Sequence, residues 1–127
     1  MPARVRLRYL VGTYVISRLD PISPIPAWAD GEGFVSISRS DDELSIVCRT
    51  ERVPAGIRQD AGWVCYKFIG PFAFDETGIV ASVIGPLSDA GIGIFVVSTF
   101  DGDHILIKET DAARADHVLK AAGHTLT

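Results

Sequence analysis

The stretch that decides the fold is GPFAFDETGIVASVIGPLSDAGIGIFVVSTFDGDHILIKE, residues 70–109. Asp75 is a favourable N-cap, and Glu76 favours the first turn of a helix that begins there. Gly91 is suited to end this helix, and Pro86 lies inside it, so we expect a kink at that position. Apolar residues recur at the spacing of one helical face, at Ile79, Val80, Val83, Ile84 and Leu87.

The same stretch continues into two strands. Residues 94–100 (IFVVSTF) predict a buried strand, and residues 104–109 (HILIKE) predict its partner. Asp101 and Gly102 between them form a hairpin signal, because this dipeptide suits a tight turn. The two strands are therefore expected to pair with each other.

The flanking sequence completes a recognisable order of elements. Residues 63–69 alternate as a strand, and Asp111 caps a second helix that Gly123 closes. Residues 124–127 have room for a short last strand. The order β-α-β-β-α-(β) is the split βαβ pattern of ferredoxin-like folds.

The first half of the chain shows the same order with much shorter helices. Strands are expected at 6–18, 34–39 and 44–50, the last two forming a hairpin, and short helical turns near 26–30 and 51–55. The segment 51–62 is otherwise expected to be a loop. We therefore predict an α+β fold in which a ferredoxin-like βαββαβ unit is repeated in tandem, over residues 1–60 and 61–127, the first copy with reduced helices.

Composition and charge exclude several classes of protein. The chain of 127 residues is 47% hydrophobic and 22% charged, which is an ordinary globular balance. Its net charge of −4 lies entirely after residue 60 and argues against a nucleic-acid-binding surface. No apolar run of transmembrane length and no signal peptide is visible, so we expect no membrane partner and a cytoplasmic location. Cys48 and Cys65 lie in strand-like runs and are expected to be buried thiols.

Signals for catalysis are weak. The nucleotide, nucleophile-elbow, zinc and redox motifs are missing, and no activating base adjoins either cysteine in sequence. His104, His117 and His124 show no ligand spacing, so we expect no metal and no cofactor. The remaining enzyme hypothesis is acid–base chemistry by Asp103 and His104 in one deep pocket.

Two segments are candidates for a binding site, and each has a purely structural interpretation. At 74–79 a strand leads into a helix start, where backbone N–H groups favour a carboxylate, although Gly78 also suits a packing contact. At 98–103 a strand ends and its hairpin partner begins. There Asp103 can hold an amine or guanidinium, although Asp and Gly are also ordinary turn residues.

These segments, FDETGIVAS and STFDGDHILIKE, resemble the ACT-domain family, specifically two-ACT bacterial proteins related to the eukaryotic CASTOR-type arginine sensors. GTYVISRLDPISPIPAWA and FVSISRSDDELSIVCRT extend the resemblance over nearly the whole chain. The resemblance implies tandem ACT folds, pairing of ACT units through sheet edges, and a small-molecule site at the interface between units. It implies ligand contacts at Glu76, Gly78, Ile79, Val80, Thr99, Phe100 and Asp103.

Two functions follow as hypotheses. The first is a non-catalytic regulatory sensor that binds a small amino-acid-like ligand, forms a homodimer and acts on a protein partner. The alternative is a structural or protein-interaction ACT module that has lost its ligand. A ligand-induced rise in stability that Asp103→Ala removes would exclude the alternative.

Overall fold

The computed structural model describes residues 3–70, 72 and 77–127. The chain divides into an N-terminal unit, Val11–Trp63, and a C-terminal unit formed by Met1–Leu10 and Val64–Thr127. Two long strands each contribute residues to both units. The division of the chain at residue 60 into two ACT copies stays a prediction.

Seven strands and two α-helices are present in the described residues, with short 3-10 turns between some of them. The strands are β1 (Arg6–Leu19), β2 (Ser36–Arg39), β3 (Leu44–Arg49), β4 (Arg58–Phe68), β5 (Ile94–Ser98), β6 (Asp103–Lys108) and β7 (Thr125–Leu126). The helices are α1 (Ile79–Asp89) and α2 (Ala112–Ala121), and the 3-10 turns are Ala27–Ala29, Thr50–Arg52 and Glu109–Asp111.

In the C-terminal unit the strands lie in the order β7-β1-β4-β6-β5, with β5 at the end. β5 and β6 form an antiparallel hairpin, whereas β7 runs parallel to β1. Both helices pack on one face of these strands, because alternate strand residues such as Phe68 and Ile105 share a core with Val83 and Leu119. This is a ferredoxin-like arrangement in which β1 lies between β7 and β4. The predicted α+β class is confirmed.

In the N-terminal unit the strands lie in the order β2-β3-β1-β4. β2 and β3 form the predicted hairpin, and the Ser40 N–H donates to the Glu43 carbonyl across the turn. The helices of this unit are reduced to the 3-10 turns Ala27–Ala29 and Thr50–Arg52. Cys48 belongs to the buried core here, and Cys65 is buried in the other unit, as predicted for both thiols.

Two local predictions are wrong. α1 begins at Ile79 with Gly78 as its N-cap, whereas the predicted cap, Asp75, lies outside the described residues. β4 begins at Arg58, so residues 58–62 are strand and not loop. α1 contains Pro86 in its interior, as expected, and the kink at that position stays a prediction.

The helix tolerates this proline because another residue replaces the missing hydrogen bond. Proline has no N–H to donate to the carbonyl four residues earlier, that of Ser82. His124 Nε2 lies 2.7 Å from that carbonyl oxygen.

Neither described helix is long and apolar enough to cross a bilayer.

Candidate functional site

A cleft of about 290 Å³ lies in the C-terminal unit, where the first turn of α1 faces the end of the β5–β6 hairpin. It is lined by Phe72, Gly78, Ile79, Val80, Ala81, Ser98, Thr99, Phe100, Gly102 and Asp103. Two segments that are about twenty residues apart in the sequence therefore form one concave surface.

Six of the seven residues implied by the family resemblance line this cleft, namely Gly78, Ile79, Val80, Thr99, Phe100 and Asp103. The seventh, Glu76, lies outside the described residues. The structure thus brings together every candidate residue that it describes.

The hairpin wall holds Asp103 in a fixed orientation. Ser98 and Asp103 are directly paired across β5 and β6, and Ser98 Oγ donates a hydrogen bond to Asp103 Oδ1. The turn beyond them is closed by Thr99, whose backbone N–H and Oγ1 donate to the Gly102 carbonyl at 2.6 and 2.8 Å. These bonds orient the carboxylate before any ligand arrives.

The helix wall offers backbone donors. Gly78 adopts a left-handed conformation (φ 80°), and a Cβ added there would meet no atom within 4 Å. The glycine is therefore required by the backbone conformation and not by a close packing contact. The first-turn N–H groups of Ile79, Val80 and Ala81 have no acceptor within the helix, as at the start of any α-helix. Gly78 has no side chain that could cap them.

The two walls carry complementary electrostatics. Among the lining residues that the structure describes, Asp103 alone carries a charge. The helix N-terminus opposite has partial positive character from the aligned peptide dipoles. An ammonium group suits the hairpin wall, which carries Asp103, and a carboxylate suits the helix wall. A free amino acid carries both of these charged groups.

Four lining residues were absent from the contacts that the resemblance implies, namely Phe72, Ala81, Ser98 and Gly102. Ser98 and Gly102 lie within the candidate segment 98–103, and Ala81 lies within FDETGIVAS. Ser98 had a further signal, because a turn over 99–102 places it directly opposite Asp103. Nothing in the sequence around Phe72 places its ring against this hairpin.

Asp103 and His104 do not share the cleft, whereas the acid–base hypothesis requires both in one pocket. His104 does not line the cleft, since neighbouring strand residues face opposite sides of a sheet. Burial, with help from Lys67 and against Asp103, lowers the pKa of His104 to about 4. Burial raises the pKa of the Cys65 thiol to about 12, so it stays protonated. Within the described part of the chain, no cluster of three His, Cys, Asp or Glu residues can hold a metal ion.

Comparison with protein families assigns most of the chain. The ACT-domain model matches residues 59–121, which include both walls of the cleft. A second model, described as the N-terminal domain of a protein family, matches residues 12–56. The chain contains an ACT domain over residues 59–121.

This ACT-domain protein has close and distant relatives. Protein Atu0741 from Agobacterium tumefaciens is 61% identical, with a TM-score of 0.95 over 98% of this chain and 93% of that one. The human cytosolic arginine sensor for mTORC1 subunit 1 is 44% identical over 50 residues. That match spans 39% of this chain and only 15% of the human protein.

Aspartate kinase from Clostridium acetobutylicum shares the fold at 12% identity, with a TM-score of 0.69. The match covers 96% of this chain and 35% of the kinase. At this identity the similarity concerns the fold alone.

Proposed function

We propose that this ACT-domain protein is a non-catalytic regulatory sensor that binds a small amino-acid-like ligand in the cleft. The observation that carries the proposal is the convergence of the six described candidate residues on one concave surface. The ligand carboxylate accepts hydrogen bonds from the first turn of α1, and its ammonium group binds Asp103. The relationship to an arginine sensor supports an amino acid as the ligand class and makes arginine one of the probes.

A second copy of the chain is proposed to complete the site. Among the described residues β5 lies at the end of the strand order, the position through which sheets of separate chains pair. Phe100 lines the cleft and is 78% exposed, which is unusual for a large aromatic side chain. We expect sedimentation to show a dimer, and a monomer with full ligand affinity would contradict this part of the proposal.

Calorimetric titration with each of the twenty amino acids tests the ligand. We expect at least one to bind, and Asp103→Asn to weaken that binding about tenfold or more, because a charge-assisted hydrogen bond is lost. Asp101→Asn is the matched control, since Asp101 is two residues away and does not line the cleft.

The alternative function is an interaction module without a ligand. Ile22 (91% exposed) and Val11 (73% exposed) are the large apolar side chains that such a partner would contact. Absence of binding by all twenty amino acids to the folded protein would contradict the sensor and leave this alternative.

A further inference from the structure

The C-terminal unit contains a second cavity, of about 420 Å³, that shares no lining residue with the cleft. It lies where β1, β4 and β7 meet α2, and is lined by Tyr9, Val64, Tyr66, Ala112, Asp116, Lys120, Leu126 and Thr127. Its volume falls within the range of about 300–1,000 Å³ that small-molecule sites occupy.

One wall of this cavity is aromatic and accessible. The rings of Tyr9 and Tyr66 meet edge to face, with centroids 5.9 Å apart. Tyr9 remains 44% exposed, so its ring can contact a ligand. Val64, Ala112 and Leu126 add apolar surface.

The polar groups of the cavity are one carboxylate and one ammonium. Tyr66 Oη donates a hydrogen bond of 2.9 Å to Asp116 Oδ1, which fixes the carboxylate. Burial and the neighbouring Asp116 raise the pKa of Tyr66, so the phenol remains a donor. Lys120 lies one turn further along α2 on the same side, with Cβ atoms about 5–6 Å apart at this spacing.

An Asp followed by a Lys four residues later ordinarily forms a surface ion pair. In the described structure Asp116 is instead bonded to Tyr66, and it makes no ion pair with Lys120. Both charges therefore border the apolar cavity at a separation that a small zwitterion can bridge.

We propose that this cavity is a second ligand site, for a zwitterion with an apolar body such as an α-amino acid with an aromatic or aliphatic side chain. The ammonium group binds Asp116, the carboxylate binds Lys120, and the apolar body lies against Tyr9. The site does not depend on the cleft.

Calorimetric titration with L-phenylalanine tests the proposal in an Asp103→Asn background, where the cleft has lost its carboxylate. We expect L-phenylalanine to bind, and Asp116→Asn to weaken it about tenfold. Asparagine still accepts the Tyr66 hydrogen bond, so the fold is preserved. Asp111→Asn is the control, because it removes a carboxylate at the start of the same helix but outside the cavity.

Two analogues separate the polar contacts. Phenethylamine lacks the carboxylate and should lose affinity in Asp116→Asn but not in Lys120→Met. The analogue 3-phenylpropionate lacks the ammonium group and should lose affinity in Lys120→Met but not in Asp116→Asn.

The proposal is overturned if L-phenylalanine fails to bind at millimolar concentration, or if the Asp116→Asn and Asp111→Asn variants bind it with equal affinity. Neither result bears on the cleft, whose test is the effect of Asp103→Asn alone.

Discussion

His124 joins three parts of the C-terminal unit through one imidazole ring. The backbone N–H of Val5 donates to Nδ1 at 2.9 Å, so Nε2 carries the proton and donates to the Ser82 carbonyl at 2.7 Å. That carbonyl lacks its helical donor because of Pro86. A proline and a histidine that are far apart in sequence are therefore structurally coupled.

His124→Ala should lower the free energy of unfolding by about 2–4 kcal/mol, because two backbone groups that are wholly or partly buried lose their partners. Urea denaturation measures the loss. His117→Ala is the control, since His117 is an exposed residue on α2.

A double-mutant cycle with Pro86→Ala separates the two bonds. An alanine at position 86 supplies the missing N–H to Ser82, so His124→Ala should cost about 1 kcal/mol less in that background. Equal costs in both backgrounds would show that the ring does not replace the proline's bond.

His104 makes the stability depend on pH. Its pKa is lowered from 6.5 to about 4 in the folded state, chiefly by burial, so below pH 6.5 the unfolded chain binds a proton that the folded chain does not. The contribution of His104 to the free energy of unfolding is fully present above pH 6.5 and falls as the pH drops toward about 4, by about 1–2 kcal/mol after allowance for solvent screening.

Urea denaturation across this pH range, compared with His104→Gln, measures the contribution of the imidazole. The variant should lose this part of the pH dependence, and His117→Gln should retain it. Parallel curves for the wild type and His104→Gln would contradict the assignment.

At the scale of the element, α1 depends on the conformation of its first residues. Gly78 has a positive φ and Gly85 lies inside the helix, and a Cβ would meet no atom within 4 Å at either position. The two glycines therefore differ in backbone conformation and not in available space.

Gly78→Ala should destabilise the protein by about 1–2 kcal/mol, the cost of a left-handed conformation for an L-residue. Gly85→Ala should stabilise it by up to about 1 kcal/mol, because alanine favours the helix interior. Chemical denaturation of both variants checks the pair, and effects of the same sign would contradict the difference in φ.

Elements with a strong local signal were predictable, and elements that depend on distant partners were not. The β5–β6 hairpin followed from two apolar strand-like runs on either side of the turn signal Asp101-Gly102. The start of β4 was missed because residues 58–62 are mostly exposed and show no apolar alternation. The position of Pro86 inside α1 was predictable, but its compensating donor was not, because His124 lies far along the chain.

At the scale of the whole molecule, the fold brings α1 and the β5–β6 hairpin together at the cleft. Local sequence predicted each wall, and the family resemblance joined them into one list of residues. Neither the local sequence nor the resemblance indicated the cavity around Tyr9 and Asp116, because its lining residues come from strands and a helix that meet only in the folded unit. The sequence pattern does not predict which distant strands and helices pack against one another.

The central claim is that an amino acid binds between the first turn of α1 and the hairpin. Amide chemical-shift mapping by NMR, with the amino acid that binds most tightly in calorimetry, tests it most directly. We predict that the amides of Gly78, Ile79, Val80 and Ala81 shift on titration, together with those of residues 98–103. Absence of shifts at these amides, while the ligand binds elsewhere on the chain, would contradict the account.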